Sequence, residues 1–161
     1  MPRLPDGWQS TVTRRDGAVD SEQWALSPEP VVAPTPEGAR RLGHEYWRAV
    51  TRSTLGLVRV RERADCVELR ALGLRPALLA LEPATVGVEH DRVACTFRIV
   101  GGVLTRRPGG TLTLTQVGLE TAELRVAVNG FHPRLRGLLY SPLEQRLHAS
   151  VSRRYLAGGS R

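Results

Sequence analysis

Glu144 and His148 are the one pair of side chains whose spacing in the sequence suits acid–base chemistry. The two residues are four apart in a stretch that predicts a helix, so they lie on one side of it, where a carboxylate could orient an imidazole. Glu144 also stands three residues after Ser141 and completes a capping box that would begin the helix. Because capping alone explains Glu144, we prefer the structural explanation, expect a binding protein, and leave open whether it is an enzyme.

The sequence lacks the spacing of the common nucleophile, phosphate and metal sites. It has no Ser, His and Asp in the order of a catalytic triad, no Gly-x-x-x-x-Gly-Lys motif and no metal-ligand cluster. The two cysteines, Cys66 and Cys95, stand in predicted strands without a Cys-x-x-Cys partner, so we expect reduced thiols in the core. We therefore expect no metal ion and no cofactor.

Arg106 and Arg107 lie in the glycine-rich segment GGVLTRRPGG, which predicts a strongly bent, mobile connection between two strands. At the mouth of a pocket, the two guanidinium groups could hold a carboxylate or another anionic group of an apolar ligand, since each offers paired hydrogen bonds. An ordinary solvated turn explains the same residues and is the simpler interpretation, because exposed arginines are abundant in this chain.

The helix that would position Glu144 is predicted within the stretch from Phe131 to Leu156. Ser141 suits the N-cap and Pro142 suits the first helical position. Apolar side chains then recur every four residues, at Leu143, Leu147, Val151 and Tyr155. Such a stripe must be buried, so we expect the helix to lie across the strands that precede it.

A second helix is predicted to begin at Pro36, after Thr35 as its N-cap. Its buried face is predicted to consist of Ala39, Leu42, Gly43, Tyr46 and Val50. Trp47 stands at the margin of this face, where it belongs either to the core or to the lip of a pocket.

From Leu57 onward, apolar residues alternate with polar ones, which predicts six antiparallel strands in a meander. Glu62 to Asp65 and Glu89 to Arg92 are predicted hairpin turns, and the leucine-rich stretch 74–83 is predicted as one helical turn or a strand. The inward-facing set is Val58, Val60, Val67, Leu69, Val86, Val88, Cys95, Phe97, Ile99, Leu112, Leu114, Leu124, Val126 and Val128. Gln116 is the one clearly polar residue in phase with it. This set predicts either a packed core or the wall of an apolar cavity.

Three segments are distinguished along the chain. Residues 1–34 are predicted to be an irregular, proline-rich arm, in which Trp24-Ala-Leu or Val31-Val-Ala could supply one edge strand. Residues 35–157 are predicted to form a single α+β domain, and residues 158–161 a disordered tail.

The charge of +7 and the pI near 10.8 are those of proteins that bind acidic partners. All 23 basic residues, however, are arginine, which is typical of a GC-rich bacterial coding bias. We therefore expect no nucleic-acid partner. The sequence has neither the apolar run of a signal peptide nor a membrane span, so we expect a cytoplasmic protein. The sequence does not indicate its oligomeric state.

The order of predicted elements resembles the helix-grip fold of the START-like and polyketide-cyclase-like superfamily. This resemblance predicts a curved antiparallel sheet of six or seven strands wrapped around a long C-terminal helix, with one helix on the N-terminal side. It implies an apolar pocket between the sheet and the C-terminal helix, and a hydrophobic partner such as a lipid or polyketide.

The residues predicted to contact that ligand are Trp47, Phe97, Arg106, Arg107, Leu112, Leu114, Gln116, Tyr140, Leu147 and Val151. Two alternatives stay open. One is a cyclase- or hydrolase-type enzyme that uses the same pocket, with Glu144 and His148 as weak catalytic candidates. The other is a basic module that binds protein or nucleic acid through the arginines of the last helix.

Overall fold

The computed structural model describes residues 8–134, with side chains from residue 11 onward. Its elements are β1 Trp8–Thr13, β2 Val19–Ser27, α1 Pro36–Ser53, β3 Val58–Glu62, β4 Val67–Ala71, β5 Leu79–Leu81, β6 Thr85–Val88, β7 Arg92–Gly101, β8 Thr111–Val117 and β9 Ala122–Phe131. The predicted C-terminal helix lies outside the described residues, and so do the tail 158–161 and the candidates Tyr140, Glu144, Leu147, His148 and Val151.

The helix α1 forms where the sequence predicts it. Thr35 is extended, and its hydroxyl accepts a hydrogen bond from the Gly38 N–H at 3.0 Å. Pro36 occupies the first turn, where its missing N–H would have no helical partner. The buried residues of α1 are Gly38, Ala39, Leu42, Gly43, Tyr46, Trp47, Ala49 and Val50. Trp47, predicted at the margin, is 4% exposed and belongs to this buried face.

The nine strands form one antiparallel sheet in the order β1-β2-β9-β8-β7-β5-β4-β3, and β6 pairs with the first half of β7. The hairpins β3–β4 and β6–β7 confirm the two predicted turns. The stretch 74–83 contains the strand β5, which joins β4 to β7. The α+β class and the antiparallel sheet are thus confirmed, with nine strands instead of six or seven.

The N-terminal part of the chain differs from the prediction of an irregular arm. Residues 8–27 form the hairpin β1–β2, and β2 pairs with β9 inside the sheet. Trp24-Ala-Leu does lie in a strand, although not at the edge, and Val31-Val-Ala is not a strand.

The orientation of β2 explains this difference. Its largest apolar residues, Trp24 and Leu26, face away from the side of the sheet that α1 covers. The residues that face α1's side are small or polar: Ser21, Gln23, Ala25 and Ser27. A pattern-based prediction expects the large apolar residues of a strand to face the core. In β2 they face the other way, so its sequence does not predict a strand inside the sheet.

Gly43 allows α1 to approach the sheet closely. A Cβ at this position would lie 2.9 Å from the Cys95 sulfur and 3.0 Å from Phe97 Cζ. Two ring contacts extend the same packing, since the Trp47 ring meets Phe97 edge-on at 5.0 Å and Tyr46 at 5.1 Å. Helix and sheet are therefore held together by a small residue facing a sulfur, with aromatic rings beside it.

Replacing Gly43 by Ala is expected to lower the free energy of unfolding by about 1 kcal/mol. Overpacking a core costs about 1–3 kcal/mol, and the better helix propensity of Ala returns about 1 kcal/mol. Guanidinium unfolding measures the change. The double variant Gly43→Ala, Cys95→Ala is the control. Its loss in the free energy of unfolding should be smaller than the sum of the losses of the two single variants, because the added methyl occupies the space of the removed sulfur. Additive losses would contradict this packing.

Candidate functional site

The sheet surface against which α1 packs is called here the inner face. Strand register places Cys95 opposite Leu114, Leu114 opposite Val126, and Val126 opposite Gln23. The inward-facing set predicted from β3 to β9 lies on this one surface. Leu114, Cys95 and Val126 at its centre are fully buried. The inner face is thus a broad aliphatic surface that is closed to water at its centre.

Among the predicted ligand contacts, the structure brings together Trp47, Phe97, Leu112 and Leu114. Phe97 is 3% exposed and lies directly opposite Leu112, next to the Trp47 ring. These four side chains belong to one apolar cluster that also includes most of α1's buried residues. Because the four side chains are packed against one another, a bound apolar molecule could contact them only at the boundary of this cluster.

Two buried nitrogen donors on the inner-face side have no acceptor within the described chain, Trp47 Nε1 and Gln23 Nε2. Trp47 is 4% exposed and Gln23 is 5% exposed, so bulk solvent does not reach these donors. A buried donor without a partner costs about 1–3 kcal/mol, and native proteins keep few of them. The sequence did not indicate Gln23, because residues 1–34 were predicted as an irregular arm in which at most Trp24-Ala-Leu or Val31-Val-Ala formed an edge strand.

Gln116 does not offer its amide to a ligand, although it was predicted as the polar member of the wall. Its Oε1 accepts from the N–H groups of Val31 and Val32 at 2.8 and 3.0 Å, and its Nε2 donates to the Val32 carbonyl at 2.7 Å. All three bonds hold the segment that leads into α1 against β8. Gln116 is therefore a clamp between distant parts of the chain.

Arg107 is likewise engaged within the protein. Its guanidinium donates to Asp16 Oδ2 at 3.2 Å and lies 3.0 Å from His132 Nε2. The backbone N–H of Ala18 and the charges of His132 and Arg107 lower the pKa of Asp16. Arg106 is exposed, and its backbone N–H donates to the His132 carbonyl.

The loop that carries Arg106 and Arg107 is anchored along its length. Thr105 forms a bridge with Pro133, and the N–H of Val103 donates to the carbonyl of Ala77. A Cβ on Gly102 would lie 2.3 Å from the carbonyl oxygen of Leu78, which requires glycine there. These contacts describe a loop packed on its neighbours, whereas the sequence predicted a mobile rim.

The titratable groups of the described residues lie mostly away from the inner face. His44 is 3.5 Å from Glu62 at the exposed side of α1, and His90 lies in an exposed turn. Cys95 is the inner-face exception, and burial raises the pKa of its thiol to about 11. A thiol with that pKa is protonated at neutral pH and is a weak nucleophile. Between residues 8 and 134, no group of three or more metal-ligating side chains is present.

A cavity of about 360 Å³ lies where β7 begins and β8 ends, and it borders the apolar cluster of Trp47 through Val32 and Val93. Its lining consists of Pro30, Val31, Val32, Ala33, Pro34, Arg41, Asp91, Val93, Gln116, Gly118 and Leu119. Of the predicted ligand contacts between residues 8 and 134, it includes only Gln116, whose amide is already bonded. Of the helices described, none is long and apolar enough to cross a membrane.

Comparison with known proteins finds similarity at the level of fold. No family model and no curated protein matches the sequence. The crystal structure of Ara h 8.0201 is similar at 10% identity and a TM-score of 0.44, over 86% of this chain and 97% of that chain. The crystal structure of CalU16 from Micromonospora echinospora is similar at 10% identity and a TM-score of 0.40, over 96% of this chain and 99% of that chain.

The solution NMR structure of CalU16 is similar at 12% identity and a TM-score of 0.38, over 99% of this chain and 100% of that chain. The helix-grip resemblance predicted from the sequence rests on the order of elements, and these similarities likewise concern the fold. At these identities and TM-scores, the similarities say nothing of ligand or reaction.

Proposed function

We propose that the protein binds an apolar small molecule that carries an acceptor oxygen, between the inner face and the predicted helix within 141–156. The observation that carries this proposal is Trp47 Nε1, a buried donor at the apolar cluster without an acceptor in the described part of the chain. An oxygen of a ketone, ester or carboxylic acid would accept its hydrogen bond while the rest of the ligand contacts aliphatic side chains.

The composition of the inner face supports an uncharged or weakly polar ligand. Its described residues from β3 to β8 are aliphatic apart from Cys95, Phe97, the bonded Gln116 and Glu62, which is half-exposed at the end of the edge strand β3. Gln23 Nε2 is a second buried donor without an acceptor in the described chain, three strand spacings from Phe97, which is roughly 14 Å at about 4.8 Å a strand. One ligand oxygen at Trp47 therefore cannot also serve Gln23.

Binding is proposed in preference to catalysis because the one acid–base pair near the described inner face, His44 and Glu62, is largely exposed to solvent at the edge strand β3. The thiol of Cys95 is held neutral by burial, and Gln116 is occupied. The cyclase-type alternative rests on Glu144 and His148, which lie outside the described residues. No contact of the described residues favours it or the nucleic-acid alternative.

Native mass spectrometry of the purified protein tests the proposal directly. We expect a fraction of the protein to carry an additional mass below about 1 kDa, since a pocket of ordinary size holds a molecule of that order. Organic extraction should release the molecule, and its mass spectrum should contain oxygen. A protein that arrives without added mass and binds neither fatty acids nor aromatic ketones in dialysis would overturn the proposal.

The role of Trp47 can be measured with a pair of probes that differ in one oxygen, benzophenone and diphenylmethane. In equilibrium dialysis, Trp47→Phe is expected to weaken benzophenone binding by about 2- to 12-fold, the equivalent of one hydrogen bond of about 0.5–1.5 kcal/mol. Diphenylmethane has no acceptor, so its affinity should stay within about twofold.

Trp24→Phe serves as the matched control, because Trp24 lies on the opposite surface of the sheet. The affinity of the Trp24→Phe variant for both probes should equal that of the unaltered protein. An equal loss of both probes in Trp47→Phe would mean that the ring contributes area alone and that its N–H is not a ligand contact.

A further inference from the structure

Two Leu-Gly-Leu sequences lie side by side at one end of the β3–β4 hairpin. Leu55-Gly56-Leu57 precedes β3, and Leu72-Gly73-Leu74 follows β4. The N–H of Leu72 donates to the carbonyl of Leu57 at 2.8 Å, which joins the two turns. We call these six residues the leucine tip.

All four leucines of the tip are exposed to solvent. The exposed fractions are 87% for Leu55, 60% for Leu57, 62% for Leu72 and 56% for Leu74. Single exposed leucines are common on protein surfaces, whereas a group of four on two adjoining turns indicates a contact surface. The tip is therefore a candidate docking site.

Hydrogen bonds hold the leucines in this exposed position. The N–H groups of Leu55, Gly56 and Leu57 donate to the carbonyls of Arg52, Thr51 and Thr54. Leu55 has a φ of 52°, in the left-handed region that disfavours a leucine. A strained apolar residue that is almost fully exposed contributes nothing to the core, so its presence calls for a role outside the fold.

The charged residues in the segments that carry the tip are mostly arginine, although Arg48 pairs with Glu45 and Arg70 pairs with Glu68. No Asp or Glu occurs between Glu45 and Glu62, or between Glu68 and Glu82, whereas these two stretches contain six arginines. Arg59 and Arg75, next to the tip, are exposed and form no ion pair within the described chain. The leucine tip therefore lies in a positive environment that would attract an anionic surface.

The shape of the tip favours a deformable partner. A Cβ added to Gly56 or Gly73 would meet no atom within 4 Å, so both turns project into open solvent. Projecting turns suit insertion between lipid headgroups, whereas a protein partner would need a pocket matched to two separate turns. Leucines buried at the acyl boundary and arginines at anionic headgroups form the usual combination of interfacial membrane binding.

From these observations we propose that the leucine tip docks the protein onto the surface of an anionic lipid bilayer. The four leucines enter the interface between headgroups and acyl chains, while Arg59 and Arg75 contact lipid phosphates. This docking does not depend on the ligand proposed above.

Sedimentation with phospholipid vesicles tests the docking. We expect the unaltered protein to bind vesicles that contain phosphatidylglycerol at least tenfold more tightly than vesicles of phosphatidylcholine, since each basic residue near an anionic surface contributes about a fivefold gain. Replacing all four tip leucines by Ser should lower binding to the anionic vesicles at least tenfold. Arg59→Gln with Arg75→Gln should lower it by about 25-fold and reduce its dependence on salt.

Leu26→Ser with Leu119→Ser is the matched control, because both leucines are exposed elsewhere, at 44% and 49%. Its vesicle binding should be unchanged. Leu55→Asn separates docking from folding, since Asn tolerates the left-handed conformation. Compared with the unaltered protein, this variant should have an equal or higher melting temperature but should bind anionic vesicles more weakly.

Three results would overturn the proposal. They are failure of the unaltered protein to bind anionic vesicles at low salt, unchanged binding by the four-leucine variant, and a dimer that the same variant dissociates. The last result would make a second copy of this chain the partner of the tip, and light scattering during size-exclusion chromatography detects it.

Discussion

Replacing Leu114 by Ala is expected to lower the free energy of unfolding by about 2–5 kcal/mol. Leu114 is fully buried in β8, between Cys95 of β7 and Val126 of β9, so truncation leaves a void that neighbours fill incompletely. Guanidinium unfolding followed by circular dichroism gives the change. The same experiment distinguishes a filled core from a pocket wall, the two interpretations between which the sequence does not decide.

Leu26→Ala provides the control for Leu114, because Leu26 lies in the same sheet and is 44% exposed. Its loss should stay within about 0.5 kcal/mol. A loss well under 2 kcal/mol for Leu114→Ala would show that Leu114 borders an existing cavity, since removing a wall atom from a cavity creates little new void. Such a result would contradict the filled core and place the ligand against β8.

Replacing Gln116 by Leu should destabilise the protein by about 2–4 kcal/mol, although Leu is similar in size and apolar. The substitution leaves the N–H groups of Val31 and Val32 and the carbonyl of Val32 without their partner. Each buried group that loses its bond costs about 1–3 kcal/mol, and local movement toward water recovers part of the sum. Thermal unfolding and hydrogen exchange at Val31 and Val32 would both record the loss.

Gln116→Glu tests the same clamp through its dependence on pH. A carboxylate can accept from both N–H groups but repels the Val32 carbonyl, whereas a protonated carboxyl can donate to it. The pKa of the new carboxyl should therefore be raised in the folded protein above its usual value of about 4.3. Its stabilising contribution should be complete below about pH 4 and disappear as pH rises through the folded pKa. A stability difference from the unaltered protein that is independent of pH would contradict the clamp.

The helix α1 and most strands after residue 57 could be predicted from the sequence alone. Thr35 followed by Pro36 predicted the start of α1, and the structure has that cap and the predicted buried residues. Alternation from residue 57 onward predicted the strands and the inner-face residues, because a strand places successive side chains on opposite surfaces. These features depend on residues a few positions apart, which is the range over which a pattern can be read.

The tertiary structure decided what the site residues do. Gln116 and Val32 are 84 residues apart, and Arg107 and Asp16 are 91 residues apart, so neither pairing follows from local spacing. The position of β2 inside the sheet, which brings Gln23 to the inner face, likewise follows from its pairing with β9. Pattern assigns a side chain to a surface, whereas only the packing of distant segments determines whether its polar atoms are already satisfied or remain free for a ligand.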